Sequence, residues 1–256
     1  MPQVTKHAPG SFCWPELATT DAEGAKAFYG GLFGWTATDS PAGPDMVYTM
    51  LRLRGLDAGA LYGMDSKQQQ GVPPHWNAYV AVESADESAE KATSLGGTVV
   101  MGPFDVMDVG RMAIVKDPTD ATFCLWQARK HIGVGVKNEP GALTWCELDT
   151  RDVAKAKTFY TALFGWTTKD SPQYTEWVLG GEPIGGLMSI PKEWGDVPPN
   201  WLTYFAVADV DATAAKAKEL GGKVIVPPMD IPGAGRFSVL ADPQGAVFAV
   251  YKAETR

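Results

Sequence analysis

Apolar and polar positions along the chain change period repeatedly, and the changes divide it into short strands and a few helices. Residues 12–20 alternate as a strand and run into Thr19-Thr20-Asp21, a polar cluster suited to capping a helix. From Ala22 to Phe33 the apolar residues Ala25, Phe28, Tyr29 and Leu32 recur at helical spacing, and Gly34 ends the run. Two strands over 46–54 and 57–64 then turn at Gly55. A second cycle opens with a strand over 77–82. It continues with a helix from Ala85 to Leu95, closed by Gly96-Gly97, and ends in strands near 98–101, 111–116 and 121–127. Each cycle reads as one β-α-β-β-β unit, and the whole chain holds four.

The count of four comes from a repeat. Trp14-Pro15-Glu16-Leu17, Ala27-Phe28-Tyr29 and Leu32-Phe33-Gly34-Trp35 return as Trp145-Cys146-Glu147-Leu148, Thr158-Phe159-Tyr160 and Leu163-Phe164-Gly165-Trp166, at an offset of 166 − 35 = 131. Further on, Pro73-Pro74-His75-Trp76 returns as Pro198-Pro199-Asn200-Trp201, Leu95-Gly96-Gly97 as Leu220-Gly221-Gly222, and Asp117-Pro118 as Asp242-Pro243, at 201 − 76 = 125. The second copy has therefore lost six residues, expected between positions 41 and 59 of the first, where loops and hairpin tips absorb such changes. The copies span 1–130 and 141–256, with 131–140 as the linker.

With 256 residues, each copy is long enough for a hydrophobic core of its own. The net charge of −8 argues against nucleic acid or an anionic membrane as partner, since both call for a basic field. No apolar run approaches the roughly 20 residues that span a bilayer, and the first residues lack the apolar stretch of a signal peptide. Cys13, Cys124 and Cys146 stand far apart without CxxC spacing, as expected of reduced thiols in a cytoplasmic protein. No dinucleotide-binding glycine fingerprint, P-loop or nucleophile elbow is present.

The FY..LFGW helix, the second helix ending in LGG, the Gly-Arg pair and the Asp-Pro turn before a last apolar strand together resemble the vicinal oxygen chelate superfamily. That superfamily includes glyoxalase I, bleomycin-resistance proteins and extradiol dioxygenases. The Trp-rich tandem form is similar to an actinobacterial 27-kDa antigen type described as hydroxylase or glyoxalase-like. The resemblance implies an α+β fold, with four βαβββ units forming two curved, half-open sheets whose concave faces hold the sites. It also implies a divalent metal, whose three usual ligand positions fall here on Trp14, Asn77 and Cys124, and in the second copy on Trp145, Leu202 and Ala249. The usual ligands are absent in both copies. Only His7, His75 and His131 exist in the chain, too few for two imidazoles in each half.

Side chains two apart on a strand share a face, so cup-facing Trp14 and Trp145 bring Glu16 and Glu147 with them. A carboxylate beside an indole accepts a hydrogen bond from a ligand or acts as a general base; the plainer alternative is a solvated strand glutamate. By the same rule His75, Asn77 and Tyr79 share a face, as do Asn200, Leu202 and Tyr204. The catalytic candidates are Glu16, Glu147 and His75, and the cup with His75 is the candidate active one, although a turn histidine after Pro73-Pro74 is the blander reading. The ligand-binding candidates are Trp14, Trp145, Asn77, Tyr79, Tyr204 and Cys124, with Met107, Met112 and Met229 as adaptable apolar wall. Cys124 lies on an apolar strand with no basic neighbour in sequence, which favours an inert thiol over a nucleophile. Arg111 and Arg236 are expected to tie down the Asp-Pro turns through Asp117 and Asp242.

The expected protein takes an apolar, aromatic or polyketide-like small molecule without metal or other cofactor, for sequestration or a mild reaction such as hydroxylation. The alternative is a divalent-metal-dependent lyase or oxygenase in which Glu16, Glu147 and His75 recruit the ion. A third reading makes the cups vestigial and the protein an interaction module. The assembly expected is a monomeric pseudo-dimer or weak homodimer. Whether each cup forms within one half or by exchange of units stays open at the level of sequence.

Overall fold

The structure, a computed structural model, describes residues 3–43, 46–65, 68–69 and 71–254. In the first half β1 (Phe12–Thr19), α1 (Ala22–Phe33), β2 (Thr36–Pro41), β3 (Val47–Leu53) and β4 (Leu56–Gly63) make one unit. The next consists of β5 (His75–Ala81), α2 (Ala85–Ser94), β6 (Thr98–Val106), β7 (Gly110–Lys116) and β8 (Thr122–Ala128). The second half repeats them as β9 (Leu143–Thr150), α3 (Val153–Phe164), β10 (Thr167–Asp170), β11 (Thr175–Leu179), β12 (Glu182–Ser189), β13 (Asn200–Ala206), α4 (Val210–Glu219), β14 (Lys223–Ile231), β15 (Gly235–Ala241) and β16 (Val247–Ala253). The local signals act as read. Asp21 accepts from the Gly24 N–H as N-cap of α1, and Gly34 closes the helix in the left-handed region at φ 72°. Asp152 and Gly165 do the same for α3.

Each half folds into one eight-stranded sheet, in the order β2-β3-β4-β1-β5-β8-β7-β6 and its counterpart β10-β11-β12-β9-β13-β16-β15-β14. The central pairing is antiparallel β1–β5, with β4 and β8 parallel on either side. Units thus join within a half, which settles what sequence left open: Glu16 lies opposite Asn77, not Asn200.

The hydrophobic cores obey a different rule. Leu17, Phe28, Tyr29, Phe33 and Trp35 of the first unit and Trp76 of the second pack with Phe205, Val210, Ala214, Leu240 and Phe248 of the fourth. Phe12 of the first unit and Val80, Phe123 and Leu125 of the second pack with Phe159, Tyr160, Trp166 and Trp177 of the third and Trp201 of the fourth. Neither half owns a complete core on its helix side. The FY motif and the Asp-Pro turn meet across this junction. Trp76 Nε1 donates to Tyr29 Oη at 3.0 Å, and Tyr29 Oη donates to Asp242 at 3.0 Å. Trp201, Tyr160 and Asp117 repeat the chain at 2.9 and 2.9 Å. The FGW tryptophans also bridge the halves, Trp35 Nε1 to the Gly141 carbonyl and Trp166 Nε1 to that of Gly10.

Two expectations are corrected. Arg111 and Arg236 do not hold the Asp-Pro turns: Arg111 pairs with Asp86 and Asp105, Arg236 with Asp211 and Asp230, so each ties a helix start to the β6–β7 or β14–β15 hairpin. The six-residue loss is split. Tyr48 matches Tyr174 (174 − 48 = 126) and the Met64 N–H bond to Thr19 matches that of Ile190 to Thr150, so five residues are lost between β2 and β3 and one between β4 and β5. The linker packs against the first half. Val134 N–H bonds to Cys13, Gly135 N–H to Asp57, and half-buried Lys137 donates to the Phe12 carbonyl, with burial pulling its ammonium pKa down.

Candidate functional site: a tyrosine-held glutamate in each cup

The helices cover one face of each sheet, and the candidate residues lie on the other. A β-bulge at Cys13, between the pairs Phe12↔Val80 and Trp14↔Tyr79, sets the register that turns Trp14 and Glu16 to this face. The second half has the same bulge, at Thr144, between Leu143↔Phe205 and Trp145↔Tyr204. Cross-strand partners share a face, so Met50, Ala60, Tyr79, Met112, Ile114, Cys124 and Trp126 join Trp14 there. Leu202, Tyr204, Val226, Phe237, Val239, Ala249 and Tyr251 line the second cup with Trp145.

Glu16 sits at the floor, 8% exposed, and Glu147 is 6% exposed. Both oxygens of Glu16 accept from phenols, Oε2 from Tyr48 at 2.7 Å and Oε1 from Tyr79 at 2.8 Å. Tyr48 Oη in turn accepts from Trp14 Nε1 at 3.1 Å. Glu147 repeats this, taking Tyr204 Oη at 2.8 Å and a bond from Tyr174, whose hydroxyl accepts from Trp145 Nε1 at 3.0 Å. Gly186 makes room for this: a Cβ there would collide with the Tyr174 hydroxyl. Burial pushes both glutamates above the usual carboxylate range, and the tyrosine bonds pull against it by favouring the charged form; for Glu16 the Asn77 amide adds to that pull. The result is a carboxylate held in a fixed direction, able to take a proton from a ligand group that displaces a phenol.

The other candidates fall in three places. Asn77, Tyr79 and Tyr204 are on the cup floor, while Cys124 is a fully buried thiol opposite Tyr79 with its pKa driven well up by burial. His75 begins β5 at the rim. Its Nδ1 donates to the Pro73 carbonyl at 2.8 Å, and among the described residues that is its one hydrogen bond. Met112 and Met229 belong to the far wall, whereas Met107 lies in the exposed β6–β7 turn. Sequence reasoning missed Tyr48 and Tyr174, the inner members of each relay. Their sequence signal was the indel itself: matched tyrosines at an intermediate offset of 126.

The metal implied by the resemblance does not fit this donor set. Leu202 and Ala249 carry no donor, and both Glu16 oxygens are already taken by O–H groups. Among the described residues no three His, Cys, Asp or Glu side chains are grouped to hold an ion.

Comparison with known proteins agrees with this architecture. Residues 142–250 match the model of the glyoxalase/bleomycin resistance protein/dioxygenase superfamily, and residues 16–126 match a glyoxalase-like domain model. The chain is 44% identical over 258 residues to a Mycobacterium tuberculosis protein named "Putative glyoxylase CFP32", covering 98% of each. It is 37% identical to the anthracycline biosynthesis protein DnrV of Streptomyces peucetius, covering 96% of this chain and 94% of that one. Among solved structures, a Mn(II)-bound glyoxalase from Novosphingobium aromaticivorans superposes with a TM-score of 0.68 at 15% identity, covering 95% of this chain and 82% of that one. The 2,3-dioxygenase LapB from Pseudomonas sp. KL28 gives 0.66 at 13% identity, covering 100% and 94%. At such identity the structures speak for the fold alone. With a glyoxalase-like domain in each half and relatives matched end to end, the chain belongs to the glyoxalase/bleomycin resistance protein/dioxygenase superfamily.

Proposed function

We propose that the protein binds a flat apolar small molecule in its cups, without metal, for sequestration or a reaction assisted by proton transfer to the cup glutamate. The observation that carries this reading is the pairing of a tyrosine-held buried carboxylate with an apolar wall, built twice from one sequence pattern. An indole at the cup wall offers a stacking face. The exposed side chains Met101 and Phe104 opposite Ile114 and Met112, and Met229 opposite Phe237, extend the apolar wall outward along the sheet edge. The name of the Streptomyces relative supports a fused-ring aromatic ligand.

In such a site Glu16 or Glu147 accepts the proton of a ligand hydroxyl and returns it to the ligand oxygen as the ligand leaves, when the phenols re-form their bonds to the carboxylate. The rival reading, a divalent-metal lyase or oxygenase, is separated by metal analysis of protein purified without chelator, together with tryptophan-fluorescence titration by divalent metals. The expected result is no stoichiometric metal and no fluorescence response. A near-stoichiometric metal that is lost in Glu16→Ala or Glu147→Ala would overturn the metal-free reading.

A further inference from the structure

Among the strand positions at which the two cups differ, one puts a buried carboxyl in the second cup alone. Two residues after Glu147, on the same face of β9, stands Asp149, where β1 has Ala18 (149 − 18 = 131). Asp149 is 3% exposed, and its Oδ1 is shut away from solvent with no hydrogen-bond partner among the described residues. Its neighbour on β13, Asn200, turns its amide onto the Pro198 carbonyl at 3.0 Å, and its neighbour on β12 is Met188. The charged groups nearby are committed elsewhere. Arg151 donates to the carbonyls of Gly195 and Val197, and Glu176 on β11 pairs with Lys169. Tyr174 and Tyr204 donate to Glu147 instead. The outer wall differs too. In the first cup the linker residue His131 stands edge-on to Trp14 at 4.4 Å and Val134 packs beside it, leaving Trp14 buried; Trp145 is only half-buried.

Burial with neither a cation nor a hydrogen-bond donor drives a carboxyl to its neutral form, and of two neighbouring carboxyls the one without donors keeps the proton. Burial first, and then the charge of Glu147, push Asp149 up to about 8. Its O–H is then a donor with no acceptor among the described residues, beside Glu147 on the cup face of β9. We propose that the C-terminal cup is a site for a flat ligand bearing a carbonyl, whose oxygen accepts a hydrogen bond from the protonated Asp149 carboxyl, and that the N-terminal cup, with Ala18, lacks this site. The inference rests on the cups being ligand sites, but its test separates the two.

Infrared difference spectra of the ligand-free full chain, wild type against Asp149→Asn at pH 7, read the proton directly. A protonated-carboxyl C=O band that vanishes in the variant is expected; a change confined to carboxylate bands overturns the proposal. Binding is then read by tryptophan quenching with 9-fluorenone, a neutral flat ketone, and with 9-aminofluorene as its ammonium form at pH 6. Fluorenone affinity is expected to be level up to about pH 8 and to fall above it. Asp149→Asn, which keeps an N–H donor, is expected to bind without that pH dependence, and Asp149→Leu to bind about tenfold more weakly, the worth of one hydrogen bond. Preference for the ammonium probe, lost in Asp149→Asn, means an ionised Asp149 and sinks the proposal. Fluorenone bound equally by Asp149→Leu sinks it while leaving the cups as ligand sites. An infrared band with neither probe bound sinks both.

Discussion

Removing one hydroxyl from the junction between the halves, by Tyr29→Phe, tests how the chain holds itself together. The ring stays, so packing against Phe33, Trp35 and Trp76 is preserved and the change isolates the oxygen. Its loss leaves Trp76 Nε1 without an acceptor and Asp242 Oδ2 one donor short, and both groups are buried. Each orphaned group costs about 1–3 kcal/mol, so the expected loss is roughly 2–6 kcal/mol. Tyr160→Phe does the same to Trp201 and Asp117 in the other shared core, and the two losses are expected to add within about 0.5 kcal/mol. Urea unfolding, followed by tryptophan fluorescence and far-UV circular dichroism, measures the change. Since each core draws on both halves, a single coincident transition is expected in wild type and both variants. A loss under about 0.5 kcal/mol, or separate transitions for the two halves, would refute the shared-core argument.

Two further outcomes follow from the cups. Burial raises the carboxyl pKa of Glu16, Glu147 and Asp149 in the folded state, so the folded protein binds protons more tightly than the unfolded chain, and stability falls as pH rises above the unfolded values near 4. Melting temperature is expected to drop between pH 5 and 9, and Asp149→Asn to reduce the drop by up to several kcal/mol in equivalent stability, reckoned at about 1.4 kcal/mol per pKa unit; a flat profile in wild type contradicts this. Gly186→Ala is expected to push Tyr174 off its place between Trp145 and Glu147, altering Trp145 emission, whereas Ala60→Gly at the matching position of the first cup leaves Trp14 emission unchanged. Unaltered emission in Gly186→Ala contradicts the packing argument.

Much of the fold was legible because repeated signals agreed. Asp21 and Gly34 delimit α1 at the residues expected, and the same signals recur in α3. The strands β2 and β10 were missed. Thr36–Pro41 is exposed along its whole length and polar in sequence, so an edge strand held by backbone bonds to β3 leaves no hydrophobic period to read. The cup floor was half legible. Strand alternation placed Glu16 with Trp14 and Asn77 with Tyr79, but Tyr48 lies beyond a loop of variable length, and only the folded ladder brings it to Glu16. The arginine of the Gly-Arg pair was misassigned for a similar reason. The Asp-Pro aspartate is close in sequence but buried on the helix side, where a tyrosine from the other half supplies its partner. Asp149 was visible as a residue, yet its lack of any partner is a fact of three dimensions.

The most direct measurement on the central claim is a titration of the full chain with 1-hydroxyanthraquinone, read by tryptophan quenching in wild type, Trp14→Phe/Trp145→Phe and Trp35→Phe proteins. Saturable quenching is expected in wild type and in Trp35→Phe, whose indole is buried in a shared core, and is expected to be largely lost in the double variant. Quenching that never saturates, or that survives intact without both cup indoles, would contradict the assignment of the cups as binding sites.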